Sequence, residues 1–426
     1  MIFVPLVFFT VLALYWWRKH GGFDVCVYMS ALYAFTSLMA VVIVLGGMLG
    51  AGGIAFDDSD LELGFIPTLL YCFFIGLCIL PFSLIHNGEL RTIVTRFPLA
   101  VDALCVVLIA VSFLNLYLIV DSTAEILSGD LAAVRQSIYE GESTPAQIKS
   151  LSLPSIIRYF YYLNVCTILA LPLWFYNITC RKRPWWFNAL VFFSSLSMPI
   201  VSIQSADRSE CMLYAMMFIF CCIFFRGCIS RRIKRRLTLL ASILVVIGII
   251  YLGAVSIARF SERDGGTGES LAQYAGQSYL NFCFFWEHGK FEYISPEREF
   301  PMTWHFVFGV DNSHERRSVR SGEQGFFMSI FATFLGDIML DLSPIGMVIW
   351  AIYYFMVCCM FIKRGHRKEM DISEVLILFV AALIPVFGVF SYRYQIFTHT
   401  FTIMLVLIIY FFSKYRLVYR CETEKE

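Results

Sequence analysis

Long apolar runs separated by short charged connections occupy most of this chain. Apolar runs of about 18 or more residues are typical of transmembrane helices. The pattern predicts spans at about residues 2–17, 24–47, 65–85, 98–120, 155–178, 185–203, 211–225, 237–257, 343–362, 373–390 and 397–413. We therefore expect an all-α polytopic membrane protein with about 11 transmembrane helices.

Composition agrees with this pattern. Of the 426 residues, 59% are hydrophobic and 15% are charged. Soluble globular proteins are nearer half apolar and a quarter charged. The net charge of +1 indicates no particular partner, and the basic residues cluster between spans, where membrane topology explains them. We therefore expect contact with membrane lipids and no nucleic-acid partner.

The basic clusters fix the orientation of the spans. Lys and Arg are enriched in cytoplasmic connections. The clusters lie at residues 18–19, 181–183, 231–236, 363–368 and 414–420. The connection 50–64 carries acidic residues and no Lys or Arg, which suits the outer face. The N-terminus is predicted to be outside and the C-terminus inside.

Three regions follow from this topology. Residues 1–257 hold spans 1–8, and an amphipathic helical stripe within 121–155 predicts a segment lying in the outer interface. Residues 258–341 form a large external loop between spans 8 and 9, and its run 326–340 is predicted to dip into the membrane as a re-entrant helix. Residues 342–426 hold spans 9–11 and a cytoplasmic tail.

The 14 cysteines do not predict a disulfide framework. Most fall inside apolar runs, where cysteine behaves as a small hydrophobe. Cys283 is the only one in the large loop, so no local partner is available there. The sequence also has no C-x-x-C pair with the spacing of a metal site. We expect neither a metal nor a cofactor.

Arginines near the outer ends of spans are the first candidate site. They are Arg208, Arg259, Arg263 and Arg393. Arginine binds phosphate through paired hydrogen bonds, and its presence on the outer side opposes the usual topology bias. Four arginines around one external cavity would suit a pyrophosphate-linked lipid. Alternatively, each pairs with a lipid headgroup or with a nearby acid such as Asp207 or Glu262.

Acids and histidines are further candidates. Asp337 and Asp341 are four residues apart on one helical face at membrane depth, where acids usually face a cavity or a partner. They could bind a substrate hydroxyl or assist a general base, or form a structural pair. The other candidates are His288, His305, His314, Asp58 and Asp60. A loop histidine could accept a hydroxyl proton, but a solvated side chain is the commoner case.

The large loop also contains many aromatic residues. They include Tyr274, Tyr279, Phe282, Phe284, Phe285, Trp286 and Trp304. These rings could stack on sugars, but an interfacial belt or a packed core explains them equally well. The sequence contains neither the G-x-S-x-G elbow of α/β-hydrolases nor a P-loop.

Three motifs resemble a known family. The turn 206–210 (ADRSE), the segment 274–282 (YAGQSYLNF) and the segment 333–341 (TFLGDIMLD) with Gly346 behind it are similar to those of bacterial O-antigen polymerases of the Wzy type. The last resembles the threonine-x-x-glycine-x-x-x-x-aspartate pattern of oligosaccharide repeat-unit polymerases. The chain departs from that pattern at Ser343-Pro344, where a glycine is expected.

The resemblance implies a glycosyltransferase with a GT-C-like fold in the bacterial inner membrane. Such an enzyme transfers a growing glycan from undecaprenyl pyrophosphate to a new lipid-linked repeat unit at the periplasmic face, where a chain-length regulator is a further expected partner. The expected catalytic residues are Arg208, Arg259, Asp337 and Asp341. The expected substrate-binding residues are Arg263, Arg393, Tyr274 and His305.

Two other functions remain open at this point. An O-antigen ligase shares the layout and transfers glycan to lipid A core. A lipid-linked oligosaccharide flippase or other transporter would carry charged residues in the middle of its spans and would show related halves. Here the span centres are nearly free of charge, which favours an enzyme.

Overall fold

The computed structural model describes residues 1–48, 62–85, 90, 92–128, 153–181, 183–202, 209–243, 266–291, 300–301, 305, 309, 324–326, 330–362 and 369–423. The α-helices are α1 (Phe3–His20), α2 (Val25–Leu45), α3 (Phe65–Ile79), α4 (Pro98–Ser128), α5 (Ser155–Tyr162), α6 (Ala170–Tyr176), α7 (Trp185–Ser195), α8 (Ser197–Ser202), α9 (Ser209–Phe224), α10 (231–243), α11 (Gly266–His288), α12 (Thr333–Ile362), α13 (Ile372–Phe387) and α14 (Thr400–Thr423). Two short strands are β1 (Thr92–Val94) and β2 (Glu369–Asp371). Short segments of 3₁₀ or π-helix extend or join several helices: Leu80–Leu84, Leu163–Leu169, Asn177–Arg181, Phe225–Gly227, Arg393–Gln395 and Phe397–His399.

Seven helical stretches in the described residues are long and apolar enough to cross a membrane. They are Val25–Leu45, Phe65–Leu84, Pro98–Val120, Phe160–Arg181, Trp185–Ser202, Ser209–Gly227 and Thr333–Ile362. Each overlaps a predicted span, so a helical polytopic membrane protein is the architecture. The chain is also helical at three more predicted spans. There α1 ends in a basic turn, and the apolar helical parts Ile372–Phe387 and Thr400–Lys414 are shorter than the seven stretches above. Only the first part of span 8 is described, and the count of eleven stays a prediction.

The helices fall into two compact units, each assembled from separated stretches of the chain. The first contains residues 1–86, 260–366 and 381–397, and the second contains residues 87–259, 367–380 and 398–426. The predicted three-region division follows the order of the sequence instead. Most of the predicted amphipathic segment 121–155 lies outside the described residues, although α4 continues to Ser128.

The first unit is built around α2. Asp24 caps this helix by accepting the N–H of Val27 at 2.9 Å, and a glycine with φ of 66° (Gly21) ends the preceding helix α1. Both are standard helix-end devices. Phe9, Tyr33 and Tyr71, from α1, α2 and α3, pack their buried rings together. Three helices thus share one aromatic core.

The aromatic segment of the predicted loop is a buried helix of the first unit. α11 approaches α2 so closely that a Cβ on Gly276 would lie 2.5 Å from the backbone N of Ala40. Tyr279 bonds Thr68 on α3 at 2.8 Å, and Phe282 packs on Tyr71. Burial raises the pKa of the Cys283 thiol on this helix to about 12, which keeps it protonated near neutral pH.

The second unit contains a structure that the sequence did not predict, a parallel pair of three-residue strands. Thr92 pairs with Glu369 and Val94 with Asp371. Asp371 also caps α13: its Oδ1 accepts the N–H of Ser373 at 2.8 Å, and its own N–H bonds Glu374 at 3.2 Å. This reciprocal arrangement is a capping box, and it fixes β2 directly against the start of α13.

The predicted re-entrant run contains the start of α12. Among the described residues of 326–340, helix begins at Thr333, and it continues into the next predicted span. A kink at Ser343, with φ of 68° and ψ of 169°, separates the two helical parts, and Pro344 follows it. Proline breaks the helical hydrogen-bond ladder, so a kink here is expected.

Candidate functional site

The start of α12 is tied to the turn that follows α13. The backbone N–H of Thr333 donates to the Phe390 carbonyl at 2.9 Å, and that of Phe334 donates to the Gly388 carbonyl at 3.0 Å. The first N–H groups of a helix have no partners inside it, so these bonds satisfy two of them. Thr333 Oγ1 lies 3.4 Å from the N–H of Gly336 and satisfies a third.

Two glycines permit this close packing. A Cβ on Gly388 would lie 2.5 Å from the Phe334 ring, and a Cβ on Gly336 would lie 2.8 Å from Cβ of Ala332. Gly336 also faces Phe282 on α11, with the ring 3.5 Å from the position of the missing Cβ. The threonine and the glycine of the motif at 333–341 therefore have structural roles as a cap and as a contact point.

The aspartates of the same motif are fully buried. Asp337 Oδ2 accepts the backbone N–H of Tyr392 at 2.7 Å, and Asp341 lies one turn further along α12. Burying a carboxylate costs several kcal/mol unless hydrogen bonds or charges compensate it. The contact with Tyr392 brings the segment after α13 against Asp337.

Arg393 follows Tyr392 directly and is itself 5% exposed. Its guanidinium carbon lies 5.6 Å from the centroid of the Phe387 ring, within the range of a cation–π contact. Two carboxylates and one guanidinium are therefore buried in the same part of the first unit. Buried charges in an apolar protein usually mark a substrate path or a binding site.

A polar row on α11 adjoins this region. Gln273, Gln277 and Asn281 occur at every fourth position, and all three are buried. Asn281 Nδ2 donates to the Phe331 carbonyl at 2.8 Å, just before α12 begins. The side-chain oxygens of Gln273 and Gln277 have no hydrogen-bond partner within the described ranges.

Further contacts hold α11 to the same place. Tyr274 packs its ring on Phe331 at 4.8 Å and on Phe390 at 6.2 Å between centroids. The hydroxyl of Ser278 is buried and, within the described part of the chain, has no hydrogen-bond partner. Sequence reasoning missed this polar row, and its signal was the four-residue spacing of amides in a largely apolar segment.

Four of the eight predicted site residues lie on neighbouring elements of the first unit: Tyr274 on α11, Asp337 and Asp341 on α12, and Arg393 in the segment after α13. His305 is exposed, unlike these four. Arg208, Arg259 and Arg263 lie outside the described residues, as do Asp58, Asp60 and His314. The remaining candidate histidine, His288, stacks on Phe284 at the end of α11 with centroids 4.5 Å apart.

Most of the candidate sugar-stacking aromatics are interhelical core. Tyr279, Phe282 and Phe285 are at most 1% exposed, and Phe284 is 8% exposed. Burial raises the pKa of the Tyr279 hydroxyl well above its usual range, so this group stays neutral. Tyr274 and Trp286 are half-buried, and Trp304 lies outside the described residues.

The assembled groups have a definite chemical capacity. A carboxylate can accept a proton or a hydrogen bond from a hydroxyl, and amide side chains can bind further hydroxyls. A guanidinium can bind phosphate oxygens. Within the described ranges, His, Cys, Asp and Glu side chains form no group of three that could hold a metal ion.

These features define a buried polar site in an apolar helical protein. Comparison with known protein families, with characterised proteins and with solved structures finds no match to the chain.

Proposed function

We propose that this protein is a glycosyltransferase of the bacterial inner membrane. It polymerises undecaprenyl-pyrophosphate-linked oligosaccharide repeat units into O-antigen or capsular polysaccharide at the periplasmic face. One observation carries the proposal. The segments 274–282 and 333–341, which resemble those of such polymerases, are 50 residues or more apart in the chain. They meet where Phe282 faces Gly336, and Asn281 bonds the Phe331 carbonyl just before the second segment.

The proposed roles follow from the chemistry of the side chains. Asp337 and Asp341 orient or deprotonate the acceptor hydroxyl, and Arg393 binds the lipid-linked phosphate. Arg208 and Arg259 stabilise the pyrophosphate as negative charge builds up on the leaving group, and Arg263 adds to the same positive field. Tyr274 and His305 contact the sugars, and the amides of α11 bind sugar hydroxyls.

The proposed topology has eleven spans, with the N-terminus in the periplasm and the C-terminus in the cytoplasm. The large loop between spans 8 and 9 then lies on the periplasmic side. This orientation keeps every basic cluster on the cytoplasmic side, and it turns the large loop toward the side where the lipid-linked units would be polymerised.

The test is the banding pattern of lipopolysaccharide or capsule on a gel. We expect deletion of the gene to collapse the ladder to core plus one repeat unit, and the wild-type gene to restore it. Asp337→Asn and Asp341→Asn each remove a carboxylate and keep its shape. Because general acid–base catalysis contributes about 10²–10⁴-fold, each should leave polymer yield at about 1% or less.

Asp371→Asn is the matched control, because Asp371 is also a buried aspartate but caps α13 in the second unit. Asparagine is an equally good cap, so this variant should keep the ladder at equal protein level. A normal ladder from the Asp337→Asn, Asp341→Asn double variant would contradict the proposed role of the acids. If the glycan chains keep their length after Arg208→Ala and Arg259→Ala, the proposed role of these arginines is contradicted.

Burial of Asp337, Asp341 and Arg393 also supports a second candidate, a lipid-linked oligosaccharide transporter, because charged residues within spans often line transport paths. The same gel separates the functions. Loss of a polymerase leaves single repeat units attached to core, because the units still cross the membrane. Loss of a transporter, or of an O-antigen ligase, leaves no attached glycan.

A further inference from the structure

A cavity of about 410 Å³ lies in the second unit, beside the first turn of α7. This volume falls within the range of small-molecule binding sites, about 300–1,000 Å³. Its apolar wall is formed by Trp174, Ile178, Ile233, Leu237 and Leu240. The last three lie on α10, at positions i, i+4 and i+7, so one face of this helix covers the cavity.

The polar wall of the cavity carries excess positive charge. Arg183 and Arg236 line it, and none of its described lining residues is acidic. Asp102 accepts hydrogen bonds from Arg181 at 2.5 and 3.0 Å, and its second oxygen also pairs with Arg183. One carboxylate thus serves two guanidinium groups, and one positive charge is left uncompensated beside the cavity.

Arg236 adds to this excess. No acidic partner for it is found within the described parts of the chain, and it faces the same cavity. A half-enclosed site with surplus guanidinium charge favours an anion, and arginine in particular favours phosphate. An apolar wall next to these arginines favours an anion that has a hydrocarbon chain.

The surroundings have the character of a membrane interface. Trp185 is 81% exposed and Trp186 is 54% exposed, and tryptophan is enriched where a membrane meets water. The basic residues of α10 are Arg231, Arg232, Lys234, Arg235 and Arg236. Basic pockets at the ends of membrane helices bind the headgroups of anionic lipids.

We propose that this cavity binds an anionic glycerophospholipid of the phosphatidylglycerol type. Arg183 and Arg236 hold the phosphate, and the acyl chain lies along Ile178, Leu237 and Leu240. Asn188 Nδ2 donates to the Arg183 carbonyl at 2.9 Å, while its Oδ1 is buried without a partner among the described residues. A glycerol hydroxyl of the headgroup would satisfy this oxygen. None of these residues belongs to the polysaccharide site, so the inference is independent of that proposal.

The test is native mass spectrometry of the full-length protein in detergent, titrated with phosphatidylglycerol and separately with phosphatidylcholine. We expect phosphatidylglycerol to bind about tenfold more tightly or better. Arg236→Gln should weaken phosphatidylglycerol binding about tenfold, as expected for losing one charge-assisted hydrogen bond. Arg236 is exposed, so this variant should fold normally, and far-UV circular dichroism checks that it does.

Arg232→Gln is the matched control, because it removes the same charge from the same helix at a position that does not line the cavity. Its affinity for phosphatidylglycerol should stay within about twofold of wild type. Leu240→Trp fills the apolar wall without changing charge and should also weaken binding. Equal losses in Arg232→Gln and Arg236→Gln, equal affinity for both lipids, or no effect of Leu240→Trp would each overturn the proposal.

Discussion

Ser343 has a backbone conformation that glycine adopts far more easily. Its φ of 68° and ψ of 169° lie in a region populated almost only by glycine, and such residues cost about 1–3 kcal/mol. Thr333, ten residues earlier, also has a positive φ of 66°. The helical stretch that carries Asp337 and Asp341 therefore begins and ends at a strained residue, as is common at functional sites.

Replacing Ser343 with glycine should stabilise the protein by about 1 kcal/mol, because the backbone strain is relieved. The Ser343 hydroxyl lies 3.5 Å from the N–H of Gly346, and exchanging this cap for glycine costs only about a few tenths of a kcal/mol. Ser343→Ala is the control: it loses the cap, keeps the strain and should be less stable than wild type. Thermal unfolding in detergent measures both, and a less stable Ser343→Gly would refute the assigned strain.

At the same scale, the sequence predicted the identity of several site residues but not their surroundings. The four-residue spacing of Asp337 and Asp341 indicated one helical face, and both lie in α12. The expected glycine after the aspartate is a serine, yet the backbone there is of the type that glycine favours. The partner of Asp337 is the N–H of Tyr392, 55 residues away, and no local pattern predicts such a contact.

At the scale of the helices, the apolar pattern predicts some elements correctly and misses others. Long apolar runs gave the positions of the seven membrane-length helices, because burial in lipid and burial against other helices both select apolar residues. α11 has polar side chains at 273, 277, 278 and 281, so its sequence resembles a loop. It is buried because neighbouring helices surround these groups, and that environment is a property of the tertiary structure.

The contact between α11 and α2 depends on Gly276. Gly276→Ala would place a Cβ 2.5 Å from backbone atoms of Met39 and Ala40, so the helices must separate, and we expect a loss of about 1–3 kcal/mol. Gly76→Ala in α3 is the control, because its Cβ would meet only the Phe8 ring at an ordinary 3.4 Å. Alanine favours helix by up to about 1 kcal/mol, so Gly76→Ala should be neutral or stabilising. Melting temperatures that fall equally would show that Gly276 is not a contact point.

At the scale of the whole molecule, each unit is built from at least three separated stretches of chain. Regions 1–257, 258–341 and 342–426 describe the order of spans along the sequence, whereas the compact units depend on contacts between distant segments. Hydropathy reports where a segment enters the membrane, and it carries no information about which spans pack together. For this reason the division into units was beyond sequence reasoning.

The proposed topology can be tested with alkaline phosphatase fusions, since that enzyme needs disulfides and is active only in an oxidising compartment. A fusion after residue 230 should be inactive, because the basic cluster 231–236 is expected in the cytoplasm. A fusion after residue 290, beyond span 8, should be active. Equal phosphatase activity of the two fusions would mean that span 8 does not cross the membrane. An active fusion after residue 230 and an inactive one after residue 290 would mean that the topology is inverted.

The pairing of β1 with β2 has a consequence for synthesis of the protein. Beside these strands, Asp371 accepts the backbone N–H of Arg96 at 3.2 Å. The two residues are 275 positions apart in the chain. At about 5–20 residues per second, a ribosome needs about 15–55 s to synthesise this stretch. Throughout that interval β1 has been synthesised but β2, its partner strand, has not. The second unit is therefore incomplete. Nascent chains that stop between α12 and β2 should therefore be removed by proteases of the membrane, so accumulation of the protein depends on synthesis of β2.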